Sequence, residues 1–367
     1  MRPFALERYF SQHEFSVRHL ACASDPDTLR VNDVLALEPS AKDRLLSMPL
    51  GYTETKGAPE LRAAIAKLYD GVSPDQVLVH VGAEEPIFAF MTAALKPGDH
   101  LICLTPTYQS LTSVAEARGV SVSAWRAQEQ DGWQPDPDEL ERLVTPKTKV
   151  FVINTPQNPT GGLLSPERFA AALAFADRHG LTVLGDEVYR GLEHGAPRLP
   201  SVVECTPMSV SLGAMAKVYG LAGLRIGWAV SKNAPLLLEM EKVKDYLTIC
   251  APGPSELLAT VALRHADLLR ARSVSTIRKN LELMQGVIGR FPERLSWIRP
   301  LAGSTGFVRV RGTPASAFCD KVLQNTGVLF APSTLFDWPD THIRVGLGRA
   351  SFGEALSVLS AYLEIAP

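Results

Sequence analysis

Between residue 58 and about residue 230 the chain alternates short apolar runs with stretches of helical periodicity, which restricts the fold to a sheet with helices packed on its faces. VLVHV (77–81), LICL (101–104), VFVI (150–153), LTVL (181–184) and VSL (210–212) read as buried strands, each followed by a loop. Between them, Leu61, Ile65 and Leu68 recur at helical spacing after Pro59, and Pro86 to Leu95 is a second helical candidate. Ser165, Pro166 and Glu167 form a helix start, with a capping hydroxyl and a proline in the first turn. Residues 234–290 read as long helices, including ELLATVALRHADLLRAR, and FVRV (307–310) and HIRVGLG (342–348) as strands of a second domain. A chain of 367 residues exceeds what one core serves, so a large domain and a smaller one are expected.

Composition narrows the function classes. Hydrophobic residues make up 46%, charged residues 21%, and the net charge is −2, as in an ordinary soluble globular protein. No basic run is available to neutralise phosphates, and no apolar segment reaches the length of a membrane span, so neither nucleic acid nor a membrane is an expected partner. The five cysteines are scattered, without metal-ligand spacing, and read as free thiols in a reducing compartment. The N-terminal segment carries charge every few residues and lacks a signal-peptide core, so the expected location is cytoplasmic.

Several residues stand where chemistry is done in α/β sheets. In AKVYGLAGLRIGW (216–228), Lys217 precedes Arg225 by eight residues, in a segment whose glycines allow tight bends. Partial burial beside Ala216 and Val218 would favour a neutral, nucleophilic amine; a surface lysine is the alternative. Asp186 follows LTVL at a strand's carboxyl end, where such sheets bind ligands, or it caps a helix or joins a salt bridge. NTPQNPTGG (154–162) is a turn, plain or presenting Asn158 inward. VGAEEPIF (81–88) passes from strand through glycine to helix, so the backbone of Gly82, Ala83 and Glu84 could hold a phosphate. Arg344, within HIRVGL, either meets an anion or faces solvent by strand alternation.

Taken in order, GYTETKGAPELRAAIA, GAEE, PTYQSL, NPTGG, DEVYR, GLAGLRIGW after the lysine, and IRVGLGR resemble the class I/II aminotransferases of pyridoxal phosphate (PLP) fold type I. The resemblance implies an α/β large domain (46–270) with a mostly parallel sheet between helices, and a smaller α+β domain formed by residues 1–45, as a lid segment, and 271–367. It implies that Lys217 forms the Schiff base with PLP and moves the substrate's α-proton, and that Asp186 pairs with the pyridinium nitrogen. Tyr189 and Asn158 would hydrogen-bond the phenolic oxygen of PLP, and Tyr108 would stack on its ring. Arg225, the Gly82–Glu84 backbone and Tyr52 from a neighbouring subunit would hold the phosphate, in a homodimer with shared active sites. Arg344 would clamp the α-carboxylate of an amino-acid substrate, with a keto acid as second substrate.

The pattern departs from the family at Ala214 and Ala216, where members often carry serines, so the phosphate cradle would lose a hydroxyl, with Ser211, six residues before the lysine, still able to reach the phosphate. The segments LERYFSQHEFSVRHLACASDPDTLRVNDVLAL, YQSL and KDYLTICAPGPSE, with Trp125, also resemble a subgroup that contains capreomycidine synthase. That likeness implies an alternative chemistry, elimination and ring closure on an arginine derivative in natural-product biosynthesis. Glu7, Arg18 and Ser24 would then be lid residues over the substrate, or else part of a solvated helix and loop.

Overall fold

The computed structural model describes residues 1–365 and organises them around a seven-stranded sheet. Its strands are β1 (Val77–His80), β2 (His100–Thr105), β3 (Ser121–Arg126), β4 (Thr148–Asn154), β5 (Thr182–Asp186), β6 (Ser209–Ala214) and β7 (Gly227–Val230). Their spatial order is β1-β7-β6-β5-β4-β2-β3, and all neighbours are parallel except those of β7, which runs against both β1 and β6. The consecutive apolar runs follow from this arrangement. Leu101, Cys103, Val150 and Val152 point into one core cluster, while Ile102, Leu104, Phe151 and Ile153 point into another on the opposite face. With helices over both faces, a strand has no solvent side on which polar residues would be favoured.

Helices Glu84–Ala94, Ser110–Ala117, Pro166–Arg178 and Ala234–Lys244 flank this sheet. The Ser165 hydroxyl accepts the Arg168 N–H at 3.2 Å, so the cap read from the sequence is formed. The long helical stretch divides at His265 into Gly253–Arg264 and Ala266–Arg290. SVSAWR and GWAV, absent from the strands read in the sequence, complete the sheet. β3 lies at its edge with three half-buried positions and two exposed ones, so its sequence lacks an apolar run. No helix among the described residues is long and apolar enough to cross a membrane.

A second, antiparallel sheet joins Ala331–Pro332, His342–Gly346, Thr305–Val310 and Leu295–Trp297 in that order. The N-terminal segment docks onto it. His19–Leu20 pairs in parallel with Val328–Leu329, the Ala21 N–H donates to the Leu329 carbonyl at 3.1 Å, and the Gly346 N–H donates to the Ala21 carbonyl at 2.8 Å. Helices Val31–Leu35 and Ala41–Leu46 then pack on Gly253–Arg264. The boundaries expected after residues 45 and 270 therefore fall inside helices, Ala41–Leu46 and Ala266–Arg290.

Gly346 makes the docking possible, since any side chain there would meet the Ala23 backbone at sub-van der Waals distance. Gly346→Ala is expected to release the N-terminal segment. Limited proteolysis should cut before residue 31 faster than in the wild type, while circular dichroism of the remaining fold changes little.

Candidate active site

Strands β1, β2, β4, β5 and β6 all run the same way and end at one rim of the large sheet, and the reversed strand β7 begins there. Gly82 follows β1, Tyr108 follows β2, Asn158 follows β4, Asp186 ends β5, Lys217 follows β6, and Arg225 precedes β7. These residues, together with Ala83, Glu84 and Tyr189, line one cavity of about 570 Å³. Helix Ala5–His13 contributes Leu6, Glu7 and Phe10 to the wall. Gln109 pins that helix by accepting the Ala5 N–H and donating to the Pro3 carbonyl, both at 2.9 Å.

One end of the cavity is built to hold an anion. The first amides of helix Glu84–Ala94 open into it at the positive end of the helix dipole, beside the Arg225 guanidinium. The Gly82 N–H is not among the free donors, because it donates to the Arg225 carbonyl at 3.0 Å. Gly82 instead provides space. Its φ is +71°, and a side chain there would strike the Arg225 guanidinium. Arg225 itself has a φ of +53° and, among the described residues, no carboxylate within ion-pair distance. Burial pushes the carboxyl of Glu84 up, against a hydrogen bond donated by Ser110 Oγ at 3.4 Å.

Asp186 lies at the opposite extreme of polarity. Burial raises its carboxyl to about 7, and the nearby Glu84 adds to the rise, while the Val188 N–H and the Lys217 cation only partly offset it. A buried carboxyl in this condition is stabilised as an anion by a cationic partner. The Lys217 amine donates to Ser24 Oγ at 2.8 Å. Tyr189 is buried against the cavity, and its hydroxyl has no protein hydrogen bond among the described residues. The Tyr108 hydroxyl donates to Glu7 Oε1 at 3.0 Å.

Arg344 is wholly buried, which removes the solvent-facing alternative: its strand is covered on both faces. Its Nε and Nη2 donate to the Cys22 carbonyl at 3.2 and 2.9 Å, and Nη1 donates to Asn158 Oδ1 at 3.2 Å. The rings of Phe10 and Phe336 lie 5.6 and 5.1 Å from the guanidinium carbon, and no described carboxylate pairs with it. Arg344 therefore stands one layer behind the cavity wall, behind Asn158 and Phe10, rather than directly on it. Since Asn158 Oδ1 is engaged by Arg344, and its backbone N–H by Asn154 Oδ1 at 2.8 Å, the amide is fixed with Nδ2 free to donate.

Three expectations are corrected or relocated. Ser211 does not reach the cavity: its hydroxyl is fully buried, 2.6 Å from that of Ser201, and accepts the Val203 N–H at 3.2 Å. Successive residues of a strand face opposite sides, and Ser211 falls on the side of helix Val202–Cys205. Arg18 lies beside Gly327 at the N-terminal strand pair, away from the cavity wall. Tyr52 stands 89% exposed, apart from the cavity of its own chain. The sequence reading missed the Cys22 carbonyl and the lysine-holding role of Ser24, since backbone contacts between residues 22 and 344 leave no local pattern.

A pH dependence follows for the cofactor-free protein. The raised Asp186 carboxyl contributes stability that is complete below its ordinary value of 3.8 and is lost as pH rises through about 7. Glu187, raised by burial to about 7 as well, adds to the same loss. Asp186→Asn cannot ionise, so its stability should fall less than the wild type's across this window, by up to about 4 kcal/mol. Parallel denaturation profiles from about pH 4 to pH 8 would show instead that Asp186 titrates normally.

Comparison with known proteins agrees with this geometry. The family model for aminotransferase class I and II matches residues 22–354. Capreomycidine synthase of Streptomyces vinaceus is 29% identical over 84% of this chain and 79% of its own length. A PLP-dependent aminotransferase from Streptococcus suis superposes with a TM-score of 0.94 at 30% identity, covering 99% of this chain and 98% of that one. The PLP-dependent cyclase OrfR superposes with a TM-score of 0.91 at 29% identity, over 99% and 97% of the two chains. The residues present also fit PLP: an anion cup for its phosphate, a buried carboxyl suited to its ring nitrogen, a free tyrosine hydroxyl and a lysine share one cavity. The chain belongs to the class I and II aminotransferase family and is a PLP-dependent enzyme of fold type I.

Proposed function

We propose that this enzyme transfers the α-amino group of an amino acid to a keto acid. The observation that carries the reading is the joint placement of Lys217, Asp186 and the anion cup around one cavity, with a buried, carboxylate-free Arg344 directly behind it. When bound, PLP supplies the electron sink and the carbon that carries the amino group. The cup at Ala83, Glu84 and Arg225 would hold its phosphate, and Asp186 would keep its ring nitrogen protonated. Tyr189 Oη and Asn158 Nδ2 would donate to its phenolic oxygen, and the Tyr108 ring would pack against it.

Lys217 Nζ removes the α-proton of the substrate and returns it one position along. Arg344 takes the α-carboxylate, exchanging the Phe10 ring for an anion, so helix Ala5–His13 shifts as substrate enters. Closure then combines a large domain with a small domain made from both ends of the chain. Tyr52 completes the phosphate cup of a second copy, in a homodimer. Its 89% exposure, beside Leu50 at 86% and near-complete exposure of Tyr246, supports that reading.

A second reading is favoured by specific observations: elimination and cyclisation of an arginine derivative. Capreomycidine synthase and OrfR are among the similar proteins, and Glu7, Glu14 and Asp25 line the cavity. Asp25 is paired with Arg349 at 2.9 Å, whereas the Glu14 carboxylate makes no hydrogen bond or ion pair among the described residues and feels Arg349 and Lys217 only at longer range. Burial, then Asp25, pushes the Glu14 carboxyl up, as befits a group that gains a cation when a basic side chain arrives.

Adding single amino acids to the holoenzyme without a keto acid separates the two. Transamination converts bound PLP to its amine form and releases keto acid in equal amount; loss of water or ammonia with PLP regenerated establishes the second reading. Lys217→Ala should abolish either reaction. Gly82→Ala should weaken PLP retention by roughly tenfold or more through displacement of Arg225, measured by equilibrium dialysis. Unchanged retention would remove Arg225 from the cup.

A further inference from the structure

We propose that Ser24 is a positioning residue for proton transfer, receiving the Lys217 amine whenever that amine is not bonded to the cofactor. The inference rests on the reading of Lys217 as the PLP lysine and proton carrier. Its basis is the 2.8 Å hydrogen bond from Lys217 Nζ to Ser24 Oγ and the rigid mounting of Ser24. The Ser24 carbonyl accepts the fully buried Ser304 hydroxyl at 2.5 Å. Two residues earlier, the Cys22 carbonyl accepts both Nε and Nη2 of Arg344. Residue 21 is tied on both sides, to Leu329 and Gly346.

These contacts make Cys22–Ser24 a short, stiff link between the arginine that takes the carboxylate and the lysine that moves the proton. When substrate displaces Lys217 from the cofactor, the released amine must wait within reach of the α-carbon. Long lysine side chains have many rotamers, and one hydroxyl acceptor on a fixed backbone restricts them. As the Cα–H bond breaks, Nζ would gain the proton, and the electron pair would be taken up by the bound cofactor. Nζ now carries an additional N–H, which Ser24 Oγ accepts. The proton then leaves Nζ for the cofactor carbon, and the amine returns to its starting charge.

Arg344 coupling gives the link a second use. Any shift of the guanidinium toward an arriving carboxylate pulls on the Cys22 carbonyl, so carboxylate binding is transmitted to Ser24 through two peptide units. No other side chain of the described residues accepts a hydrogen bond from Lys217 Nζ.

The test compares wild type, Ser24→Ala and Ser24→Thr as full-length holoenzymes, with L-arginine, unlabelled and deuterated at the α-carbon, as probe. A parallel measurement follows acylation of Lys217 by an amine-directed reagent in the cofactor-free proteins, read by peptide mapping. Ser24→Ala is expected to keep its PLP and a KM within about twofold, with kcat lowered roughly tenfold and the α-deuterium isotope effect increased. Its Lys217 should be acylated several-fold faster, and Ser24→Thr, which keeps the hydroxyl, should restore both values. If the alanine variant does not fold, Ser24→Gly removes the hydroxyl in its place. Equal isotope effects and equal acylation rates in wild type and hydroxyl-free variant would overturn the proposal. If L-arginine is not turned over, the acylation rates alone decide. Failure of the underlying reading is separately visible, as a wild type in which borohydride fixes no PLP on Lys217.

Discussion

A guanidinium wholly withdrawn from water, with no described carboxylate to neutralise it, is the constraint around which the rest of this molecule is arranged. Removing such an ion from water costs several kcal/mol even after relaxation, so it persists only where other groups replace its hydration. Arg344 finds a backbone carbonyl, an amide oxygen and two aromatic faces, all neutral. Those partners come from the N-terminal segment, the large sheet's rim and the segment beside the second sheet, so satisfying one cation brings three parts of the chain together. The charge itself remains unneutralised, and this leaves the site receptive to an anion.

A complementary imbalance exists at Asp186. Its carboxyl is held at about 7 by burial, and a ring cation beside it would restore the ionised form. The protein thus carries an underpaired cation and an underpaired acid near the two sides of one cavity, each awaiting the opposite charge. Such residual imbalance is costly to a structure and useful to a catalyst, because binding free energy is gained where charge must be controlled.

Much of this was legible in the sequence, and the exceptions have physical reasons. The five apolar runs became strands of the large sheet because burial on both faces leaves a strong local signature. The edge strand SVSAWR lacked that signature, whereas GWAV, buried at all four positions, carries it over only four residues directly after the glycine-rich turn. Lys217, Asp186, Asn158, Tyr189 and Arg225, picked out in the sequence, meet at one cavity because each sits beside a strand end or turn that fixes its backbone. Ser211 was misplaced by counting along the chain, since distance in sequence does not say which face of a strand a hydroxyl occupies. The Cys22 carbonyl and the lysine contact of Ser24 depend on residues more than a hundred positions away, and a backbone oxygen has no letter of its own.

The reversal of β7 has a consequence for how the anion cup is closed. His80 and Gly227 are register partners, so the two halves of the anion cup are joined by one β-pair although the other five strands of the large sheet lie between them in sequence. Gly82 is held relative to Arg225 by that pair and by the Gly82 N–H bond to the Arg225 carbonyl, with no contribution from the helices between them. The cup behaves as a clasp closed across a long loop of chain, and that loop returns to the same rim to deliver Tyr108, Asn158, Asp186 and Tyr189.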